Sequence, residues 1–552
     1  MFIPDTLTGP NYNLTMHKDS VQFFSGMISQ TYAFNANHYL GPTLILNNGT
    51  NVNITVNNQI GDTTTIHWHG LHVPAKWDGG PHSPILNNAS WNPQFTVMND
   101  AATYWYHPHL DMKTAVQAIK GAAGLIIVRD SAEATLTLPR KYGIDDFPII
   151  VQCQQYDSLN QAMQLGMQDS TLLVNGTRAN NSDSTYLDVP AQVIRLRLLN
   201  ASGERAFNFG FTSPLHFYQI ATDGGLLDLP HDTTRIRIAP GERAEILLNL
   251  NGMNGQTFYL MSYGAELPMG IQGGPTMPMS GGPPMDSPLN GINFNILKFN
   301  VVPPTTNPVT TIPSTLIANN PYQENQVNAY RQINFTADND TVMDGPFYFN
   351  DSTFDMMRID YVIPLNSVEV WTLVNKTMVA HPFHLHDEYF YILDRNGISA
   401  TPEEQGKKDV ILVPPYDSVR FITKFTDFAD TVVPYMYHCH ILMHEDAGMM
   451  GQFMVSPSAV GIKELSKNIS EFFIYPNPAS TILNIHHASY TPNETLLITD
   501  LLGAVVYKEK LCGIDNTISI STWGAGIYFY CLTPALSNGE GVSVRGKFVV
   551  QK

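Results

Sequence analysis

The chain has no uninterrupted apolar run approaching the roughly 18 residues that a membrane-spanning helix needs, so no segment reads as a bilayer crossing. Cysteine is scarce: Cys153, Cys439, Cys512 and Cys531 are the whole supply in 552 residues, too few for a disulfide scaffold. Charge is sparse at 14%, and basic residues are the scarcer kind, 30 Lys+Arg against 48 Asp+Glu for a net charge of −18. That balance excludes nucleic acid and anionic membrane as expected partners and fits a soluble, exported protein. The opening Met1-Phe2-Ile3-Pro4-Asp5 has neither the basic nor the apolar region of a signal peptide. Either the numbering begins at a mature or engineered end, or the chain is not exported by that route.

Turn formers are abundant instead. Forty Gly and 37 Pro, with frequent Asn, Thr, Val and Tyr, predict an all-β chain, and the length predicts three or four domains. Residues 1–137 alternate short apolar runs with turn signals, as in Gly41-Pro42-Thr43-Leu44-Ile45-Leu46-Asn47-Asn48-Gly49, which is β-sandwich spacing. Strand signals continue through 138–302, where His216 and His231 stand alone and the domain reads as structural. Residues 303–460 open on a Pro/Thr-rich linker and are again β-rich. A fourth segment, 466–552, restarts with short strands and carries no metal-like cluster.

The densest chemistry lies in Tyr437-His438-Cys439-His440-Ile441-Leu442-Met443-His444-Glu445-Asp446-Ala447-Gly448-Met449. Three histidines, a cysteine and a methionine form the mixed N/S set that copper prefers; two imidazoles, a thiolate and a weak thioether make an electron-transfer copper site. In an extended segment Cys439 faces one way and its neighbours His438 and His440 the other, their Cα atoms about 6.6 Å apart at roughly 3.3 Å per residue. One strand can thus hold a copper on its thiolate and touch a second metal site through both flanking rings.

Random placement of 18 histidines gives roughly 0.6 His-x-His pairs, the count against which a pattern is judged. The chain has four: His67/His69, His107/His109, His384/His386 and His438/His440. A single pair is ordinarily structural. Four, divided between the first and third β-rich regions, imply a shared metal cluster. His381 lies three residues before His384 and so faces away from His384 and His386, on the side of Cys439. Cys439, His381, His444 and Met449 are therefore expected to complete one mononuclear site, and the other eight histidines to hold three further coppers, each ring neutral at its ligating nitrogen.

These residues resemble the multicopper oxidases, in particular the bacterial laccases, bilirubin oxidases and cuprous oxidases. The resemblance is carried by HWHGLHVP…DGGP, ATYWYHPH, LLVNG, RLRLLNAS, IATDGGLL, APGERAEILL, HPFHLH and HCHILMHEDAGMM, in order across about 460 residues. It implies three cupredoxin-like Greek-key β-sandwich domains and four copper ions. It implies a type 1 copper on His381, Cys439, His444 and axial Met449, and a type 2 copper on His67 and His384. Of the two type 3 coppers, one would take His69, His107 and His440, the other His109, His386 and His438. The implied reaction takes single electrons from a small-molecule reductant, phenolic, aromatic or tetrapyrrole-like, and reduces O2 to water. Asp78 matches a family acid on the proton path, though Asp78-Gly79-Gly80 also reads as a turn. Glu445 matches another relay position and could equally orient a ligand imidazole. Asp387 stands where many relatives carry Gly. The third domain lacks the long Met/His-rich insertion of specialised cuprous oxidases. The stretch 268–288, with Met269, Met277, Met279 and Met285, is either a surface loop or a thioether surface handling Cu(I). A non-catalytic copper-binding protein is the alternative from another class. His17, His38, His72, His82, His486 and His487 have no motif support and are taken as surface or packing residues.

The tail resembles the C-terminal sorting domain of the type IX secretion system, through Tyr475-Pro476-Asn477-Pro478-Ala479, Asp500-Leu501-Leu502-Gly503, Gly526-Ile527-Tyr528 and Gly546-Lys547-Phe548-Val549-Val550-Gln551-Lys552. It implies a small C-terminal β-sandwich, the secretion machinery as partner and a secreted or cell-surface location. An oxidising compartment makes a Cys512–Cys531 disulfide an expectation, with Cys153 a buried free thiol. These motifs say nothing of the oligomeric state.

Overall fold

Alternating runs become strands. In Asn11–Val21 the side chains go exposed, buried, exposed, buried from Asn11 to Leu14, the period of two of an extended chain. The computed structural model describes all residues except 37, 165–167, 180–184, 213–214, 277–286, 340–344, 458–471, 488–489, 491–493, 501–503 and 534–543. The all-β expectation holds. Among the described residues the three α-helices have four or five residues each, and no helix is long and apolar enough to cross a membrane. Contacts divide the chain into two compact units, Met1–Ala459 and Val460–Lys552.

The larger unit contains three two-sheet sandwiches. In the first, a sheet ordered Thr6–Thr8, Thr43–Asn47, Gly124–Arg129, Thr103–His107, His67–His69 packs on one built around Asn11–Val21 and Asn51–Gln59. Leu14, Ile54, Leu44, Trp68 and Tyr104 fill the space between them. In the second, Val193–Asn200 lies between Asp146–Tyr156 and Arg243–Asn249, over a core containing Phe207, Phe209 and Phe299. In the third, Val368–Asn375 is central to one sheet, and His381–Leu385 lies between Asp430–Cys439 and Val410–Val413 in the other. Trp371, Phe383 and Phe421 pack in the core that also buries Cys439 and Met449, each large apolar side chain contributing about 1.5–3 kcal/mol on burial.

Buried charge joins the first and second sandwiches. Arg197 pairs with Asp146 at 2.6 Å and Glu245 at 2.5 Å, and its Nη1 donates to Thr103 Oγ1 at 3.0 Å. Arg195 pairs with Glu133 at 2.7 Å. Such groups tolerate burial only when paired, and removing one partner is strongly destabilising.

In the smaller unit a sheet of Phe472–Tyr475, Ile482–His487 and Asp515–Ser519 accompanies one ordered Val505–Lys510, Thr495–Thr499, Gly526–Thr533, Val544–Val550. Leu483, Ile498, Tyr528 and Phe548 form its core. The expected Cys512–Cys531 bridge is absent: both thiols are free. The register gives the reason. Thr495–Thr499 runs between the two strands concerned, pairing Lys508 on one side and Cys531 on the other through Leu497, and Cys512 follows the far strand. Two strand spacings, about 9.6 Å, exceed the roughly 7 Å across which a disulfide can close. Cys153 is free and buried, as expected. Met277, Met279 and Met285, and Leu501, Leu502 and Gly503 of the tail motif, lie outside the described residues. Native alkylation of unreduced protein should modify Cys512 first, with all four thiols modified after denaturation without reductant; a tail fragment two hydrogens too light by mass would show that the bridge forms.

Candidate metal centre

Strand register places the histidines. In the third sandwich Phe383 is opposite Cys439 and His384 opposite His438; in the first, His67 is opposite His107. All of them are buried. Cys439 points into its own sandwich core, where its Sγ lies 3.6 Å from His381 Nδ1 and 3.6 Å from His444 Nδ1. His444 reaches it because the chain after Cys439 folds into the short helix Leu442–Asp446 and turns back at Gly448 (φ +98°). Met449, fully buried, then returns beside the cysteine: Cys439 N–H donates to Met449 O at 3.0 Å. The spacing leaves room for one ion at ordinary metal–nitrogen and metal–sulfur distances of about 2.0 and 2.3 Å.

The eight paired histidines meet on the other side, between the first and third sandwiches. Three groups have ring nitrogens in mutual reach: His67, His384 and His386; His69, His107 and His440; His109, His386 and His438. Most rings have one nitrogen engaged outward. His67 Nδ1 donates to Asp78 O (2.9 Å), His384 Nδ1 to Asp409 O (2.8 Å), His107 Nδ1 to Pro108 O (2.8 Å) and His386 Nδ1 to Asp78 Oδ2 (2.8 Å). A neutral imidazole has a single N–H, so each leaves a bare Nε2. The Nε2 atoms of His67, His384 and His438 have no hydrogen-bond partner, and those of His109 and His386 face each other at 3.1 Å. Buried polar atoms are nearly always paired; a set of orphaned nitrogens aimed into one space fits metal ions, and with the thiolate set alongside fits copper. His381 follows the same logic. Thr377 Oγ1 donates its one hydrogen to Asn375 Oδ1 or Val379 O, so it accepts from His381 Nε2 at 2.9 Å and leaves Nδ1 bare toward Cys439.

Burial favours the neutral form, which ligation requires, in eight of these rings. It holds His69, His107, His109, His381, His384 and His440 well below the usual imidazole range, and His444 down to about 3. Burial and the neighbouring His67 bring His386 to about 3 against the pull of Asp78. Burial also pushes the Cys439 thiol up, so a thiolate here depends on a bound cation. Asp78, at the end of the helix Ala75–Asp78, has its two oxygens 3.3 Å from His67 and 2.8 Å from His386. Burial alone would raise its carboxyl, but the His386 and His67 rings hold it below the carboxylate range. Gly79 (φ +81°) makes this approach possible, because a Cβ there would collide with Ile66 O. Glu445 lies between His109 Nδ1 (3.3 Å) and His438 Nδ1 (3.2 Å). Asp78 thus ends the helix at the Gly79 turn and, from there, sets its carboxylate beside two cluster rings.

Several residues at the site went unassigned in sequence. Asp409 Oδ1 accepts from His69 Nε2 at 3.1 Å, and Arg243 from the second sandwich grips Asp409 at 2.6 and 2.5 Å. Arg243 opens the strand Arg243–Asn249 and Asp409 immediately precedes Val410–Val413, with no spacing signal at either; only the tertiary pairing marks them. His72, taken as a surface or packing residue, is 6% exposed. Its Nδ1 lies 2.9 Å from Asp387 and 3.8 Å from Glu388, and its Nε2 3.2 Å from Asp427. Asp387 (φ +72°) occupies a left-handed position, which favours Gly and tolerates Asp; here the position is used to aim a carboxylate at His72.

Family comparisons agree with this geometry. Multicopper oxidase models match residues 15–133, 149–274 and 319–459, and a secretion system C-terminal sorting domain model matches 473–551. The multicopper oxidase mco of Staphylococcus haemolyticus is 33% identical over 455 residues, 81% of this chain and 88% of that protein. The cell division protein FtsP of Sodalis glossinidius is 30% identical over 455 residues, 81% of this chain and 90% of that protein. Among solved structures, the laccase-like multi-copper oxidase CueO of Ochrobactrum sp. superposes with a TM-score of 0.72 at 29% identity, covering 82% of this chain and 100% of that one.

The His72 cluster predicts a pH dependence. Burial alone would lower its pKa, but Asp387 and Glu388, with Asp427 on the other nitrogen, raise it to about 10. Its stabilising contribution is therefore complete below the unfolded value of about 6.5 and is lost as pH rises through about 10. His72→Gln should cost about 1.5–3 kcal/mol at pH 6–7, with the deficit closing above pH 10; thermal or denaturant midpoints of both proteins across that range check it, and a constant deficit would refute it.

Proposed function

The chain belongs to the multicopper oxidase family, and on that premise we propose that it is an exported, laccase-like oxidase with four coppers, oxidising phenolic, aromatic or tetrapyrrole-type reductants and reducing O2 to water. The observation carrying this reading is Cys439 facing His381 and His444 while its two neighbours in sequence join a cluster of eight buried imidazoles. His381, Cys439, His444 and Met449 are assigned to a type 1 copper, and His67 and His384 to type 2. The two type 3 coppers are assigned His69, His107 and His440, and His109, His386 and His438. Copper, when bound, supplies the reversible one-electron chemistry that no side chain of this set has. The chain supplies the rest. The Cys439 peptide links to His438 and His440 give a continuous covalent path between the two sites. Asp78 holds the His386 tautomer, and Asp78 and Glu445 are placed beside the rings where carboxylates can relay protons to the cluster. The buried walls exclude water from it.

The Ochrobactrum protein's stated activity toward lignin model compounds and lignosulfonate supports a phenolic reductant. Oxidation of Cu(I) is a second reading, favoured by Met357, 89% exposed. It lies on a segment whose carbonyls at Asp355, Met356 and Arg358 accept from Gln452, three residues past Met449. That a relative of this length is named a cell division protein and not an oxidase is the reason to keep the non-catalytic alternative under test. The sorting domain implies export to the medium or the cell surface, with the type IX machinery as the proposed partner.

O2 uptake by copper-loaded protein with a phenol, bilirubin or Cu(I) separates the readings. Phenol- or bilirubin-driven uptake with a blue band that bleaches anaerobically is expected; uptake with Cu(I) alone indicates the second reading, and bound copper with no uptake would leave a binding protein. Asp78→Asn and Glu445→Gln should slow reoxidation by O2 about 10–100-fold while the blue band still bleaches with reductant. Met449→Leu should raise the type 1 potential by removing the thioether, as read by redox titration of the blue band.

A further inference from the structure

The second sandwich contributes none of the assigned ligands, yet one of its turns lies against one member of a trio and reaches a second through Asp409. We propose that residues 239–243 form a wall of the site holding His69, His107 and His440, orienting His69 through the Arg243–Asp409 pair and His440 through direct contact with Gly241. This rests on the reading of that trio as a copper site.

His69 is held the opposite way round from its neighbours. His67, His107, His384 and His386 engage outward through Nδ1, whereas His69 engages Asp409 through Nε2 and turns Nδ1 inward, 3.3 Å from His107 Nε2. What selects this orientation is an acceptor fixed beyond the Nε2 side of the ring. Asp409 is fixed because Arg243 takes both its oxygens, a bidentate pairing with planar specificity. Arg243 is itself locked by donation to Thr103 O (3.1 Å), Gly241 O (3.1 Å) and Asp223 O (3.0 Å). Every polar contact of the guanidinium thus stiffens the carboxylate that His69 meets.

His440 lacks any such device. Neither ring nitrogen has a hydrogen-bond partner on another residue, so no polar group of another residue sets its angle. Its backbone is held, His440 N–H donating to Pro382 O at 2.6 Å, but the ring itself is placed by packing. Gly241 (φ +83°) supplies the surface: a Cβ there would lie 2.8–2.9 Å from Cδ2, Cγ and Nε2 of His440. Real Cβ atoms do not come that close, and the positive φ already disfavours any side chain. One turn therefore acts on His69 by a relayed hydrogen bond and on His440 by contact. Asp409 and Arg243 are positioning residues, because they reach the site only through His69.

Two lesions from different directions test this. Gly241→Ala pushes on His440 and leaves the ion pair intact. Arg243→Met/Asp409→Leu removes the pair as a unit, a replacement that need not destabilise because no buried charge is left alone. Arg195→Gln is the control, breaking buried ion pairs of the same sandwich that do not touch the cluster. Both test variants should lose the magnetic silence of the paired coppers, with EPR-detectable copper per chain rising, and should reoxidise with O2 about 10–100-fold more slowly, the blue band being retained. The control should fall in thermal midpoint with wild-type EPR. In copper-free, 15N-histidine-labelled protein, the double variant should shift the His69 ring signals and Gly241→Ala those of His440, whatever the wild type does with copper. Wild-type EPR and unshifted ring signals in both test variants overturn the proposal. A wild type that never shows paired copper instead refutes the functional reading, and the ring signals still decide this one.

Discussion

An imidazole can ligate a metal only through a nitrogen that carries no proton, and in a buried site that nitrogen must also be denied every other partner. The arrangement around the cluster follows from this requirement. Backbone carbonyls of Asp78, Pro108 and Asp409 and the carboxylate of Asp78 take up the outward N–H groups; the inward nitrogens then have nowhere to turn but toward one another. Thr377 does the same for His381 at the thiolate site. None of these acceptors needs to touch a metal to determine which atom would.

The β-strand converts this local chemistry into two sites joined by one residue. Because side chains alternate, a single strand end can give its thiolate to one sandwich core and its flanking rings to the space between sandwiches. The neighbouring strand His381–Leu385 obeys the same parity, sending His381 to the thiolate and His384 to the cluster. Two hydrogen-bonded strands, with the residue that follows each, thereby divide six of the assigned ligands between the two sites without any long-range adjustment. The first sandwich supplies the other four cluster rings from its own adjacent strands His67–His69 and Thr103–His107 and from His109, two residues past the second.

That parity explains how much was legible beforehand. His-x-His pairs and the position of His381 are statements about period two, and period two survives folding, so the sandwich class and the grouping of histidines could be read from spacing and from family motifs. Asp409 and Arg243 could not. They lie 166 residues apart, and an Asp or Arg at or just before the start of a strand has no local mark of the partner it will meet. His72 went unassigned for a related reason: its partners Asp387, Glu388 and Asp427 come from another sandwich, so nothing beside it in sequence marks the charge cluster it joins. The proposed disulfide failed on register, since two cysteines in one small domain say nothing about the strand that runs between them.

The same orphaned nitrogens bear on stability. Five ring nitrogens, on His67, His384, His438 and His440, are buried with no hydrogen-bond partner. At about 1–3 kcal/mol for each unsatisfied group, their sum rivals the 5–15 kcal/mol by which a typical domain is stable. Metal ions that bind the folded state alone would offset this cost by mass action. Because the rings come from both the first and third sandwiches, the ions that relieve this cost must also hold those sandwiches together. Catalytic site and structural joint are then one feature, so a lesion that merely misplaces a ring will weaken the docking of the two sandwiches along with the chemistry between them.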